Sequence, residues 1–295
     1  MNTTSPPDKL FRAVSEEGGI AVRTLIATEL TRAAAERHQT SPLASAALGR
    51  ALMGTLLVAS RTQDGETVQM QFKGNGPIGA ITTDGNNTGQ VRGFVGNPSV
   101  DLPLKDGRLD VASALGIGLL TVDRNHPTWK EPYRGVVHLV SSEIAEDITY
   151  YLSESEQNPA AVGLGIALDK EGRVEAAAGF LVQALPGVDE DALTLVENNV
   201  LNLPNPTDLV RAGKGAEEIA ADLFQGIGIA ANSELQPIFH CHCNRERITQ
   251  AMSLLGREEL RAMAAEDKPS EIVCHFCNQA YTLSPDELRA ILPDA

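Results

Sequence analysis

The four cysteines of this 295-residue chain, Cys241, Cys243, Cys274 and Cys277, all fall in its C-terminal part. No disulfide framework can therefore hold the larger N-terminal part together, which must fold on apolar burial. The cysteines form a Cys-x-Cys pair and a Cys-x-x-Cys pair, separated by a segment long enough to fold back. Each pair places two sulfurs near one point, and two such pairs can surround one Zn²⁺ per chain tetrahedrally at about 2.3 Å. His240, His242 and His275 stand beside these residues. With four thiolates available, they are expected to support the ligands or face solvent.

A unit of about sixty residues, from Gln236 to Ala295, has little core of its own. Structural zinc supplies about 10 to 16 kcal/mol of apparent binding energy, so losing the metal is expected to unfold it. Thiolates are also the form of sulfur that oxidants attack, and oxidised sulfur is a poor ligand. Cys274 and Cys277 have the spacing of redox pairs, whereas a Cys241 to Cys243 disulfide would close a small, strained, easily reduced ring. Spacing alone leaves open whether the site is a staple or a switch.

The rest of the chain reads as α+β. A strand is expected over Gly19 to Thr28 and a helix over Leu30 to Gln39, and Ser41-Pro42 starts a buried apolar helix running to Ser60. Val68, Met70 and Phe72 alternate as in a half-buried strand, and turn signals at Gly74-Asn75-Gly76-Pro77 and Asp84-Gly85-Asn86-Asn87 separate it from two more. Strands are also expected over residues 116–124 and 133–141, a helix over 143–157, and a strand pair joined at Asp169-Lys170-Glu171-Gly172.

After Pro186-Gly187 the composition changes. Residues 188–235 carry nine acids and two bases around two short amphipathic stripes, Ala192, Val196, Val200 and Leu203, then Ile219, Leu223 and Phe224. Pro204 and Pro206 are expected to end the first helix, and burial of such short stripes holds the segment only loosely. The chain thus divides into a domain of residues 1–187, an acidic helical linker of 188–235 and a zinc unit of 236–295, in which Ser284-Pro285-Asp286-Glu287 caps a final helix over 286–292.

Other motifs carry less. Gly74, Gly76 and Gly79 match G-x-G-x-x-G but precede a strand, so they read as a turn. Gly213-Lys214-Gly215 lacks the spacing of a phosphate loop, and neither G-x-S-x-G nor H-E-x-x-H occurs. Asn86-Asn87-Thr88 is a glycosylation sequon by pattern only. Trp129 and Tyr133 read as a loop packed on the core, and Ser153 to Gln157 as a solvated helix end. A net charge of −15 argues against nucleic-acid binding. The start lacks a basic, apolar leader and no uninterrupted 18-residue apolar run appears, which points to the cytosol and to no membrane contact.

Taken together, Cys241-His242-Cys243-Asn244-Arg245-Glu246-Arg247, Cys274-His275-Phe276-Cys277, the Gly74 to Pro77 turn, Ser155-Glu156-Gln157 and Gly179-Phe180-Leu181-Val182-Gln183 before Leu185-Pro186-Gly187 are similar to the thirty-three-kilodalton heat-shock protein family. Asn244 stands where a serine is expected. The resemblance spans essentially the whole chain. It implies an α+β substrate-binding domain, a helical linker lying on it and a zinc-holding redox-switch domain, in a holdase chaperone without catalytic turnover or ATP. It further implies disulfides joining Cys241 with Cys243 and Cys274 with Cys277 on oxidation, loss of zinc, and an active form, commonly a homodimer, that binds unfolding client proteins. Two rivals remain: a zinc-ribbon nucleic-acid module, which a net of −3 over residues 236–295 disfavours, and a thiol–disulfide oxidoreductase using Cys274 and Cys277.

Overall fold

The chain begins with a hairpin that the sequence only half announces: β1 (Lys9–Ser15) pairs antiparallel with β2 (Ile20–Ile26), Arg12 opposite Arg23. Leu10 and Phe11 are adjacent and both buried, so β1 lacks the clean alternation that marks a one-sided strand. A sheet covered on both faces erases that signal. This computed structural model describes residues 6–291. The first five residues, on which the reading of the chain start partly rests, and Leu292 of the expected final helix lie outside the described residues.

After α1 (Thr28–His38), the Ser41 hydroxyl accepts the Ala44 N–H at 3.2 Å and Pro42 opens α2 (Pro42–Ala59). Every residue of α2 except Pro42 and Arg50 is buried. By length and mean hydropathy, 1.4, α2 would be long and apolar enough to cross a membrane, but Arg50 interrupts it and 89% of it is buried inside the protein. An apolar helix without a polar face belongs in a core.

Next come β3 (Thr67–Gly74), β4 (Ala80–Asn86), β5 (Gln90–Val95), the short α3 (Val111–Leu115), β6 (Gly118–Asn125) and β7 (Tyr133–His138). Val68, Met70 and Phe72 are fully buried on one face of β3. The 74–79 glycines form a turn that admits the end of α3: a Cβ on Gly74 would lie 1.8 Å from the Leu115 carbonyl oxygen, and one on Gly76 2.3 Å from that of Ala114. Trp129 is half-buried but Tyr133 is 44% exposed, so the expected packing of this pair on the core holds for one ring only.

α4 (Ala145–Glu154) leads into β8 (Ala160–Leu168) and β9 (Val174–Ala184). Its end is not simply solvated. The Glu156 side chain is 9% exposed, paired with Arg61 at 2.9 Å and Arg124 at 3.6 Å, and accepts the Tyr151 hydroxyl at 3.1 Å. Arg124 also holds Glu66, which is 1% exposed, at 2.5 Å. Of the run Ser153 to Gln157, Glu156 thus belongs to an ion network with Arg61, Arg124 and Glu66, while Ser153, Glu154 and Gln157 are exposed.

The segment from 188 contains α5 (Glu190–Asn202), α6 (Pro206–Arg211) and α7 (Ala216–Leu223). Pro206 begins a helix rather than preventing one, because Asn205 caps the Thr207 N–H at 3.1 Å and proline suits the first turn. The segment expected to be a helical linker also contains a strand that the sequence did not announce, β10 (Ile229–Leu235), which joins β1. β11 (Ile238–Phe239) follows, parallel to β5. The five-stranded sheet runs β10-β1-β2-β9-β8, and the six-stranded sheet β11-β5-β4-β3-β6-β7.

β1, β2 and β9 divide their side chains between two cores. Leu10, Leu25 and Leu181 join α2 in the larger one. Phe11, Val22, Phe180 and Val182 join Val196, Leu209, Ile219 and Phe224 in the second. Ile219 and Leu223 are fully buried, so α7 is held more firmly than its short stripe suggests, by apolar partners from distant strands. Of the α5 stripe, Val196 alone is fully buried.

Residues up to Phe239 form one compact unit and those from His240 a second. The second holds α8 (Arg245–Met252), α9 (Arg257–Ala265), the hairpin β12 (Ser270–Val273) and β13 (Ala280–Leu283), and α10 (Pro285–Ile291). The capping box is present: Ser284 Oγ accepts the Glu287 N–H at 3.2 Å, and Glu287 accepts the Ser284 N–H at 2.8 Å.

Candidate metal centre

Cys274 and Cys277 occupy the tight turn of the β12–β13 hairpin. The Cys274 carbonyl accepts the Asn278 N–H at 2.8 Å, its N–H donates to Gln279 at 2.9 Å, and Asn278 takes a left-handed φ of 59°. That curl turns both sulfurs to one side. Cys241 and Cys243 lie in the extended segment before α8, which Asn244 caps by accepting the Arg247 N–H at 2.8 Å. Asparagine is as good a cap as serine, so the departure from the family pattern costs the local structure nothing.

The hairpin and the helix entry bring the four sulfurs together. Cys241 and Cys274 are 3.8 Å apart, Cys243 and Cys277 3.3 Å, and all four sulfurs lie within 4.8 Å of one another. A sulfur tetrahedron with bonds of about 2.3 Å has edges of about 3.8 Å, so this set fits a single Zn²⁺. No histidine nitrogen belongs to the cluster among the described residues. His240 and His242 instead set their rings edge to face, with centroids 4.6 Å apart.

The electrostatics favour a cation at this point. Burial, then the crowding of neighbouring sulfur, raises the Cys274 thiol pKa, and burial pushes that of Cys277 well above the usual thiol range. Four thiolates in so small a volume repel one another, and a divalent cation among them inverts that balance. Cys277 is 6% exposed, while Cys241, Cys243 and Cys274 are half-buried.

Tyr281 is the residue that sequence reasoning missed. From β13 its hydroxyl donates to Cys243 Sγ at 3.2 Å, and that contact chiefly raises its own pKa to about 12. Its position four residues beyond Cys277 gives no such signal without the hairpin register, which pairs it with Ile272.

A family model described as Hsp33 protein matches residues 8–284. The chain belongs to the Hsp33 family. The 33 kDa chaperonin of Syntrophotalea carbinolica is 41% identical over 286 residues, 97% of this chain and 99% of that protein. That of Geobacter sulfurreducens is 41% identical over 285 residues, covering 96% and 94% of the two chains. The crystal structure of the 33 kDa chaperonin of Thermotoga maritima matches with a TM-score of 0.90 at 33% identity, over 97% of each chain. Membership of Hsp33 makes this a chaperone of mixed helix and sheet with a C-terminal four-cysteine cluster that fits a zinc and redox centre.

Proposed function

We propose that this chain is a holdase that works without ATP and is switched on by oxidation, with Cys241, Cys243, Cys274 and Cys277 as Zn²⁺ ligands in its idle, reduced form. The observation that carries this reading is the convergence of all four sulfurs within 4.8 Å in a unit whose own core has five buried residues among those described. A bound zinc ion supplies the binding energy that keeps such a unit folded.

In the proposed cycle, Cys241 joins Cys243 and Cys274 joins Cys277. Four thiolates become two disulfides and lose four electrons. Two molecules of hydrogen peroxide accept these, with four protons from solvent, and leave as four waters. The oxidised sulfurs no longer hold the ion, and residues 236–295 lose their shape. Residues 188–235, the linker, then loosen from the substrate-binding part, residues 1–187. Loosening α5 to α7 would uncover Ile20, Val22, Phe180 and Val182, an apolar face suited to unfolded clients. A cavity of about 360 Å³ between α5 and that sheet, lined by Ile20, Ala160, Val182, Leu193, Val196 and Val200, supports this face as the one to open. The active form is a homodimer in the cytosol.

The test is one oxidation course with peroxide and mild heat, following zinc release, thiol loss and suppression of client aggregation in parallel. The three are expected to coincide. Equal client protection by reduced and oxidised samples would overturn the reading.

A further inference from the structure

On the face of the five-stranded sheet shared by Leu10 and Leu25, Arg23 stands beside its cross-strand neighbour Arg12. Its Nε and Nη1 are sealed from water, and neither has a hydrogen-bond partner among the described residues. Burial, with the like charges of Arg61 and Arg12, lowers the Arg23 pKa to about 10. Arg23 as a whole is half-buried, but two of its guanidinium nitrogens are desolvated, and a desolvated cation is best kept where an opposite charge pairs with it. Arg61 cannot serve, being a like charge already engaged by Glu156 at 2.9 Å.

Beside Arg23 a cavity of about 160 Å³ opens across β10, β1 and β2, and no acidic residue lines it. Strand register puts the side chains of Arg12, Val14, Ala21, Arg23, Ala231 and Ser233 on that same face. Arg12 donates Nε to Ser233 Oγ at 3.1 Å, which leaves the serine hydrogen to donate elsewhere. Arg12, Arg23 and Ser233 thus line one opening. At about 30 Å³ per water, the space equals roughly five waters, the scale of one small ion rather than a polymer.

We infer that this cavity is an anion site, in which Arg12, Arg23 and Ser233 bind a phosphate-class oxyanion. A carboxylate satisfies one guanidinium fork, whereas a tetrahedral phosphate has oxygens for two forks and a hydroxyl together. The net charge of −15 repels long polyanions, which leaves free phosphate or the phosphate of a mononucleotide as the source. Either would tie β10 to β1 and β2 through one ligand.

The experiment uses the full reduced, zinc-loaded chain, with calorimetric titration and thermal unfolding in sodium phosphate, in AMP, and in sodium chloride of equal ionic strength. Phosphate is expected to bind saturably at one site per chain. At ten times its dissociation constant it raises the unfolding midpoint by roughly 3 to 6 °C over chloride. Equal binding of AMP assigns the site to the phosphate group of a nucleotide as well; phosphate alone assigns it to the free ion. Arg23→Gln abolishes the effect, and Arg12→Gln, at a half-exposed position, keeps the fold and weakens binding at least tenfold. No saturable phosphate effect beyond chloride, or unchanged binding in Arg12→Gln, would overturn the inference.

Discussion

Up to Phe239 the described residues bury thirty-eight residues in one apolar cluster and seventeen in a second, while the cysteine unit buries five. Four of those five are large: Met252, Leu260, Leu283 and Leu288. At about 1.5 to 3 kcal/mol each, they contribute roughly 6 to 12 kcal/mol, no more than one structural zinc site supplies. The first unit distributes its stability over dozens of contacts. The second, with zinc bound as proposed, would draw at least as much from four sulfurs. A unit of the second kind can be switched by chemistry at one point, and a unit of the first kind cannot.

The largest expected effect breaks that contrast directly. Chelation of the reduced chain, or Cys277→Ser, leaves amides of residues 240–291 exchanging freely in hydrogen exchange, while β1 to β9 keep their protection. Protection of α8 to α10 without metal would show that five buried residues suffice and would remove the basis for a switch.

Next in size is a matched pair of truncations. Leu52 and Ile219 are both fully buried, one on α2 in the larger cluster and one on α7 in the second. Each change to alanine costs about 2 to 5 kcal/mol. Leu52→Ala is expected to lower the global unfolding midpoint with no gain of function. Ile219→Ala is expected to loosen α7 locally, raising apolar-dye binding and client protection in the reduced protein. Identical behaviour of the two variants would mean that the second core is not separately releasable.

The smallest effect concerns how α7 and β10 are tied down. Lys9 on β1 bridges Glu217 at 2.5 Å and Glu234 at 2.7 Å. The hydrogen bond from Lys9 is the main cause of a Glu217 pKa below its ordinary 4.5, outweighing burial. A carboxylate with a depressed folded-state pKa contributes stability that is present above the ordinary value and lost as pH falls below it. The pair is largely exposed, so the contribution is small. Glu217→Gln should speed hydrogen exchange of α7 slightly at pH 7, and the difference from the parent should shrink progressively as pH falls below 4.5. A difference that does not change with pH would assign the effect to packing instead of charge.

What was legible in the sequence was local. The Ser41 cap, the Ser284 to Glu287 capping box and the two cysteine pairs each depend on residues a few positions apart, and short-range geometry allows few alternatives. β1 was missed because both of its faces are covered, and β10 because its strand partner lies more than two hundred residues earlier. Glu156 read as a solvated acid because its partners Arg61 and Arg124 come from other elements. Tyr281 escaped for the same reason at the metal centre, where only the hairpin register sets its hydroxyl against Cys243.

The sequence by itself determined where the reactive sulfur is and that little apolar material surrounds it, because both follow from residue identity and spacing. It could not determine what residues 188–235 do. Their stripes are short, and their hold on the protein comes from Phe11, Val22, Phe180 and Val182, which strand alternation turns to the far face of a sheet. Burial energy belongs to both surfaces in a contact, and a stretch of sequence carries only one of them. The tertiary structure alone decided that this segment is seated on an apolar face, which is the condition for its release to expose anything.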